Sequence, residues 1–164
     1  MAQQKGTHVT NFDSTPPLTV NSRMHGGVVK YAGDTLELAD TANNDTAVII
    51  KLPIDAVVQS VKFACDDLGT AGTVDITFFY KNADGTYTEI ADGLIANGID
   101  VNAAAVALTE YRFSVLNIST VNQSAWELAG LSARPAYGDI YIGVTTDTGT
   151  TAAGTVTLQV LYTE

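Results

Sequence analysis

Two stretches of this chain alternate with a period of two residues, and that period restricts the fold more than any other feature. Over residues 73–80, Val74, Ile76, Phe78 and Tyr80 fall on one side, with Thr73, Asp75 and Thr77 on the other. Over residues 154–163, Val156, Leu158, Val160 and Tyr162 share a side. Successive side chains of an extended strand point to opposite faces, so each stretch is a strand with one face in a core. Thr, Val, Ile and Tyr are plentiful, and long helical runs of Leu, Glu, Lys and Arg are missing, which extends the β assignment to the chain as a whole. A length of 164 residues fits one domain, or one domain with a tail, and 46% hydrophobic residues suffice for a core.

The remaining elements follow from apolar runs and turn residues. Short strands are expected at residues 28–31 and 35–38, flanking a turn at Ala32-Gly33-Asp34. Residues 47–52 form a compact apolar strand stopped by Pro53. Residues 56–65 follow, with Val57, Val61, Phe63 and Cys65 on one face. Asn82-Ala83-Asp84-Gly85 is a hairpin loop whose glycine can take positive φ, and its return strand is residues 86–90. The Ala-rich residues 93–108 are weakly patterned, with at most a short strand near 99–101 and a long loop. A strand is expected at 111–115. The one convincing helix is 124–131, with Ser124 as N-cap, Glu127 three residues later and Gly130 to end it. Strands at 138–145 and 154–163 close the chain.

Residues 66–80 (DDLGTAGTVDITFFY) and 147–162 (DTGTTAAGTVTLQVLY) echo one another. Each places Gly-Thr-Val at the start of an alternating strand that ends in Tyr, so they look like two related hairpins. A sandwich of two antiparallel sheets uses such units in both halves, and ordinary hairpin grammar also produces them without duplication. The fold expected is all-β, an antiparallel β-sandwich of jelly-roll type with one short helix and an extended N-terminal arm.

That arm is residues 1–27, and the sandwich is residues 28–164. The arm has no usable periodicity, and Thr15-Pro16-Pro17 favours an extended path that is neither helix nor central strand. An unstructured terminus has the same composition, but Phe12, Val20 and Met24 favour an arm that docks. Residues 1–33 carry Lys5, Arg23 and Lys30 against Asp13, a net charge of +2. Residues 34–164 carry five basic and seventeen acidic side chains, a net of −12. A body this acidic repels phosphate backbones, so no nucleic-acid partner is expected, and the two halves are suited to different surfaces.

Little in the chain is equipped for chemistry. His8 and His25 both lie in the arm, where a general base is not held rigidly beside a nucleophile. Cys65 is the sole cysteine, shares its phase with Val61 and Phe63, and is expected to be an inert core thiol. One Cys and two arm His cannot assemble a zinc site. A cation near Asp66, Asp67, Asp139 or Asp147 is harder to set aside, although the 82–85 loop fails as an EF-hand, with Tyr80 and Ala91 at the ligand positions. Adjacent Asp66 and Asp67 would face opposite sides of a strand and so do not form an acid–base pair. Trp126, the sole tryptophan, lies on the helix as a core anchor. No phosphate-binding glycine loop, secretion signal or membrane-spanning apolar run is visible, so no cofactor and no membrane partner is expected. Three Asn-x-Ser/Thr triplets, at Asn44, Asn117 and Asn122, are chance matches without a secretion signal.

Several segments in order resemble the jelly-roll cement, or head-decoration, proteins of tailed bacteriophages. These are Phe12-Asp13-Ser14-Thr15-Pro16-Pro17; His25-Gly26-Gly27-Val28-Val29; Asp66 to Asp75; Trp126-Glu127-Leu128-Ala129-Gly130-Leu131; and Ala152-Ala153-Gly154-Thr155-Val156. The resemblance covers residues 10–163 and rests on the combination rather than on any single segment. It implies a non-enzymatic virion structural protein, made in the host cytoplasm, that sits as a homotrimer on the capsid exterior and binds the major capsid protein. The arm residues Phe12, Pro16, Pro17, Val20, Arg23, Met24 and His25 are the expected capsid contacts. The alternative is a phage fibre or head-fibre module that binds a receptor or carbohydrate. It would show exposed aromatics in its loops, whereas these loops are rich in Gly, Thr, Ala and Asp.

Overall fold

The computed structural model describes residues 28–39, 42, 44–69, 72–102, 104–111, 122–136, 138–150 and 152–164, with 91–94 by backbone alone. Eight strands follow in order: β1 (Val29–Leu38), β2 (Thr46–Pro53), β3 (Val57–Cys65), β4 (Thr73–Lys81), β5 (Tyr87–Asp100), β6 (Val106–Glu110), β7 (Asp139–Thr148) and β8 (Gly154–Thr163). One short helix, α1 (Ala125–Leu128), lies between β6 and β7. The strands form two four-stranded antiparallel sheets, β1-β8-β3-β6 and β2-β7-β4-β5. Among these strands only β4 and β5 are neighbours both in sequence and in a sheet; every other connection crosses between sheets. That winding is a jelly roll, as the alternation and turn pattern lead one to expect.

The two sheets face each other across one core. Phe63, Leu158 and Val160 of the first sheet meet Leu52, Ile76, Phe78, Ile140 and Ile142 of the second, and all are fully buried. Each such side chain contributes about 1.5–3 kcal/mol relative to leaving it in water. The helix closes one end. Its first backbone N–H groups donate to the carbonyls of Ala56 (2.7 Å, from Ala125) and Ile54 (3.3 Å, from Trp126), and Trp126 packs partly buried on the core. The Glu127 carboxylate accepts from the Ser124 N–H (2.8 Å) and hydroxyl (2.6 Å), the reciprocal bond of a capping box. The helix is shorter than 124–131, because the chain already turns at Ala129 and Gly130, which has φ +75°. The 82–85 loop is the expected hairpin. Gly85 has φ +90°, the Asn82 N–H donates to the Thr86 carbonyl (2.8 Å), and the Asp84 carboxylate accepts from the Thr86 N–H (2.9 Å) and hydroxyl (2.6 Å).

Three expectations about the strands change. Residues 28–31 and 35–38 are not two strands. Ala32-Gly33-Asp34 runs straight through a single β1, paired without a break from Val29↔Thr163 to Leu38↔Gly154. Residues 93–108 are mostly strand: β5 is 14 residues long and β6 begins at Val106. Three register shifts against β4 interrupt the two-residue period of β5 and hide it in the sequence. Val58 rather than Val57 joins the core cluster, because the register slips between Val58 and Ser60 and inverts the phase before the bulge. Tyr111 lies just beyond β6 with its N–H on the Val61 carbonyl (2.8 Å), and the rest of the expected 111–115 strand is outside the described residues.

The two echoing segments are not hairpins. One carries the chain from β3 in the first sheet to β4 in the second, and the other from β7 in the second to β8 in the first. They run beside each other at one end of the sandwich, with matching glycines facing the opposite connection. A Cβ on Gly72 would lie 3.4 Å from Thr150 Cγ2, and one on Gly154 would lie 2.8 Å from Leu68 Cδ2. The Ala152 N–H also donates to the Leu68 carbonyl (3.1 Å). The shared Gly-Thr-Val thus marks two crossovers that pack on each other.

Candidate functional site

The seven arm residues expected to make contacts, Phe12, Pro16, Pro17, Val20, Arg23, Met24 and His25, lie outside the described residues, as do His8 and the whole of 1–27. What the structure does present is the surface the arm leads into.

The outer face of the β1-β8-β3-β6 sheet carries Val29, Tyr31, Gly33, Thr35 and Glu37 of β1. Their partners Thr163, Leu161, Gln159, Thr157 and Thr155 of β8 lie beside them. Side chains there meet in cross-strand pairs: the Thr35 and Thr157 hydroxyls are 3.0 Å apart, and the Thr155 hydroxyl donates to Glu37 (3.0 Å). At the start of β1 the face turns apolar and open, with Val29 60%, Tyr31 61% and Leu161 37% exposed. Leu108 of β6 is 46% exposed. Beside β1, an open trough of about 460 Å³ runs between the two sheets, lined by Tyr31, Ala32, Gly33 and Asp34 and by Ile49, Ile50 and Lys51 of β2.

The outer face of the other sheet is closed by its own side chains. Tyr87 and Tyr141 pack edge to face with centroids 5.0 Å apart, and the Lys81 ammonium lies 5.7 Å from the Tyr87 centroid. Lys51 pairs with Asp139 at 2.8 Å, a contact that pushes the lysine's pKa up. The Thr145 hydroxyl donates to Glu89 (2.8 Å), and Phe79 is fully buried. Rings held edge to face beneath a lysine are not a stacking platform for a sugar.

The remaining candidates from sequence occupy structural positions. Cys65 is buried in β3, and burial pushes its thiol pKa up, away from the reactive thiolate. Asp67 accepts from the Gly69 N–H (2.8 Å), Asp66 from the Thr155 N–H (3.1 Å), and Asp147 from the Thr73 hydroxyl (3.3 Å). All three therefore serve the crossover end of the sandwich, whereas Asp139 is at the opposite end of β7, on Lys51. The four carboxylates do not converge, and among the described residues no group of three or more His, Cys, Asp or Glu is placed to hold a metal. No helix among them is long and apolar enough to cross a membrane.

Sequence reasoning missed the exposed edge and face of β1. The available signal was Val28-Val29 followed by Tyr31, apolar in both phases, at a position where a strand buried on one face needs only one.

In sequence, no family model and no curated protein matches this chain. In structure, it is similar to a chain of the capsid of Ralstonia phage GP4, at 19% identity and a TM-score of 0.57, covering 84% of this chain and 85% of that one. A chain of the cyanophage Pam1 capsid asymmetric unit follows at 18% identity and a TM-score of 0.49, covering 89% and 91%. A chain of infectious bursal disease virus, Gx strain, follows at 11% identity and a TM-score of 0.45, covering 83% of this chain and 32% of that one. The first of these likenesses establishes a shared fold over most of both chains.

Proposed function

We propose that this chain is a virion structural protein: a cement, or decoration, protein that binds the outer face of a phage head and stabilises the shell. The observation that carries the reading is the jelly-roll fold, shared with a chain of a phage capsid over 84% of this chain. The proposed organisation is a sandwich of residues 28–164 with an arm of residues 1–27 as the capsid anchor. Phe12, Val20 and Met24 supply apolar contacts, Arg23 supplies charge, and Pro16 and Pro17 hold an extended path that loses little entropy on docking. The arm's net charge of +1, from Lys5 and Arg23 against Asp13, complements an acidic capsid surface. The partner is the major capsid protein, and the acting form is a homotrimer, in which three weak arms on one body bind far more tightly than one. No step in this role needs a catalytic group, and the chemistry-bearing side chains described above are each engaged in structure.

The test is co-sedimentation of the full-length protein with undecorated heads of the phage that encodes it. Saturable binding, with a rise in the temperature at which the heads release their DNA, is expected. A protein that stays in the supernatant at micromolar concentration would refute the cement role.

A further inference from the structure

Where two residues of one strand face a single residue of the next, the ladder is broken locally and the strand bulges. β5 does this opposite Asp75. Val74 pairs with Ile99 and Ile76 with Ala96, so Asn97 and Gly98 together face the one residue between, Asp75. Gly98 has φ +62°, a left-handed conformation that suits glycine, and both bulge residues are exposed. The Gly98 N–H donates to a side chain here: Oδ1 of Asp75 accepts it at 2.6 Å, a short charge-assisted bond. On its other side Asp75 pairs with Thr145 of β7, so its backbone is fixed inside the sheet.

Asn97-Gly98 is also the sole Asn-Gly pair in the chain. An asparagine followed by glycine can close on itself. The glycine nitrogen gives its proton to hydroxide and attacks the side-chain carbonyl carbon of the asparagine. A carbon–nitrogen bond forms, the bond to the side-chain nitrogen breaks, and that nitrogen leaves as ammonia, taking a proton from water and regenerating hydroxide. The product is a five-membered succinimide, which water opens at either carbonyl to give aspartate or isoaspartate. The balance is one water consumed and one ammonia released, with no oxidant or metal. Glycine favours the closure because no Cβ hinders its nitrogen and its backbone reaches the dihedrals the ring needs.

The nitrogen that must attack is the one Asp75 holds. The carboxylate places negative charge beside a nitrogen that has to lose its proton, and it fixes where that nitrogen points, away from the near-attack geometry. We propose that Asn97 is a site of spontaneous deamidation in this chain, and that the Asp75 carboxylate restrains the reaction in the folded protein by holding the Gly98 N–H across the bulge. Each event adds one negative charge to an already acidic body. The isoaspartate form also inserts an extra backbone carbon into β5 where its ladder is already broken. The inference concerns the chain alone and holds whether or not it binds a shell.

Peptide mapping of the full-length protein after incubation at pH 8 tests it. In urea, Asn97 should deamidate faster than any other asparagine of the chain, and Asn97→Gln should abolish that signal. In the folded state, Asp75→Ala, which removes the acceptor, should raise the rate at Asn97 about ten- to hundredfold, the rate equivalent of one hydrogen bond to a charged group. Asp75→Asn, which keeps an acceptor oxygen and removes the charge, should fall between wild type and Asp75→Ala. Circular dichroism and the urea midpoint confirm that each variant is folded. Equal rates in the folded wild type and Asp75→Ala would overturn the proposal. A slower variant would make Asp75 a base for the closure and overturn it too, as would faster modification of another asparagine in urea. Amide exchange on the wild type gives a readout that needs no variant: the Gly98 N–H should be protected, and free exchange there would also overturn the restraint.

Discussion

Replacing Gly143 by alanine probes how closely β2 approaches β7. Gly143 is paired with Val48, at the point where β2 bulges before Ile50. A Cβ at this position would lie 2.9 Å from Val48 Cα and 3.0 Å from the Ala47 carbonyl carbon, and closer still to the Ala47 carbonyl oxygen. All three are backbone atoms, so no rotamer change relieves the contact and β2 itself must move. Two effects oppose each other. Restricting the unfolded chain by replacing glycine stabilises by about 0.4–1 kcal/mol. Overpacking against a fixed neighbour costs about 1–3 kcal/mol, and a purely backbone neighbour argues for the upper half of that range. The net is a destabilisation of about 1–2 kcal/mol, or a fall in Tm of about 2–8 °C for a domain of this size. Gly138→Ala is the control, because a Cβ there meets nothing within 4 Å. It should be neutral or stabilising by up to about 1 kcal/mol. Urea unfolding of both variants at unchanged m-value measures the difference. If Gly143→Ala matched or exceeded Gly138→Ala in stability, the packing of the β2 bulge on β7 would be wrong.

Three smaller predictions concern the other end of the sandwich, its core thiol and the hairpin tip. Glu127→Ala removes the carboxylate that accepts from the Ser124 N–H and hydroxyl, and should cost about 1 kcal/mol in chemical denaturation, with no loss of β content by circular dichroism. Cys65 should resist alkylation at pH 8 in the native state and react at the rate of a free thiol once unfolded; fast native labelling would contradict its burial. The Thr86 hydroxyl and N–H hold the Asp84 carboxyl below its ordinary value of 3.8. A depressed folded pKa means that the unfolded state binds protons first. Its contribution is therefore full above the ordinary value and is lost as the pH falls through the folded one. Asp84→Asn should accordingly flatten the stability profile below about pH 4, and an unchanged profile would remove that carboxylate from the acid response.

The parts of this fold legible in the sequence are those fixed by neighbours along the chain. The alternation of β4 and β8, the Asn82–Gly85 turn and the Ser124–Glu127 cap each arise within a few residues, and each is present. The parts that were not legible are set by partners far away in sequence. Gly33 looks like a turn until β8 pairs straight past it. The phase of Val57 and Val58 is inverted by a bulge that only the pairing with β8 reveals. The echoing Gly-Thr-Val segments have hairpin grammar, yet the sheets they join are decided by the order in which strands assemble. The same holds for the site. Among the described residues β1 pairs only with β8, more than a hundred residues away, so Val28-Val29 and Tyr31 signal an apolar face locally while its place at the side of the sheet, next to Leu161, does not show in the sequence.

Cryo-electron microscopy of the intact virion encoded alongside this chain tests the central claim most directly. The account predicts three-lobed density on the outer surface of the head, at three-fold or quasi-three-fold positions, into which eight-stranded sandwiches fit with their arms running onto the major capsid protein. Density for this chain in the tail or fibres, or its absence from the particle, would contradict the account.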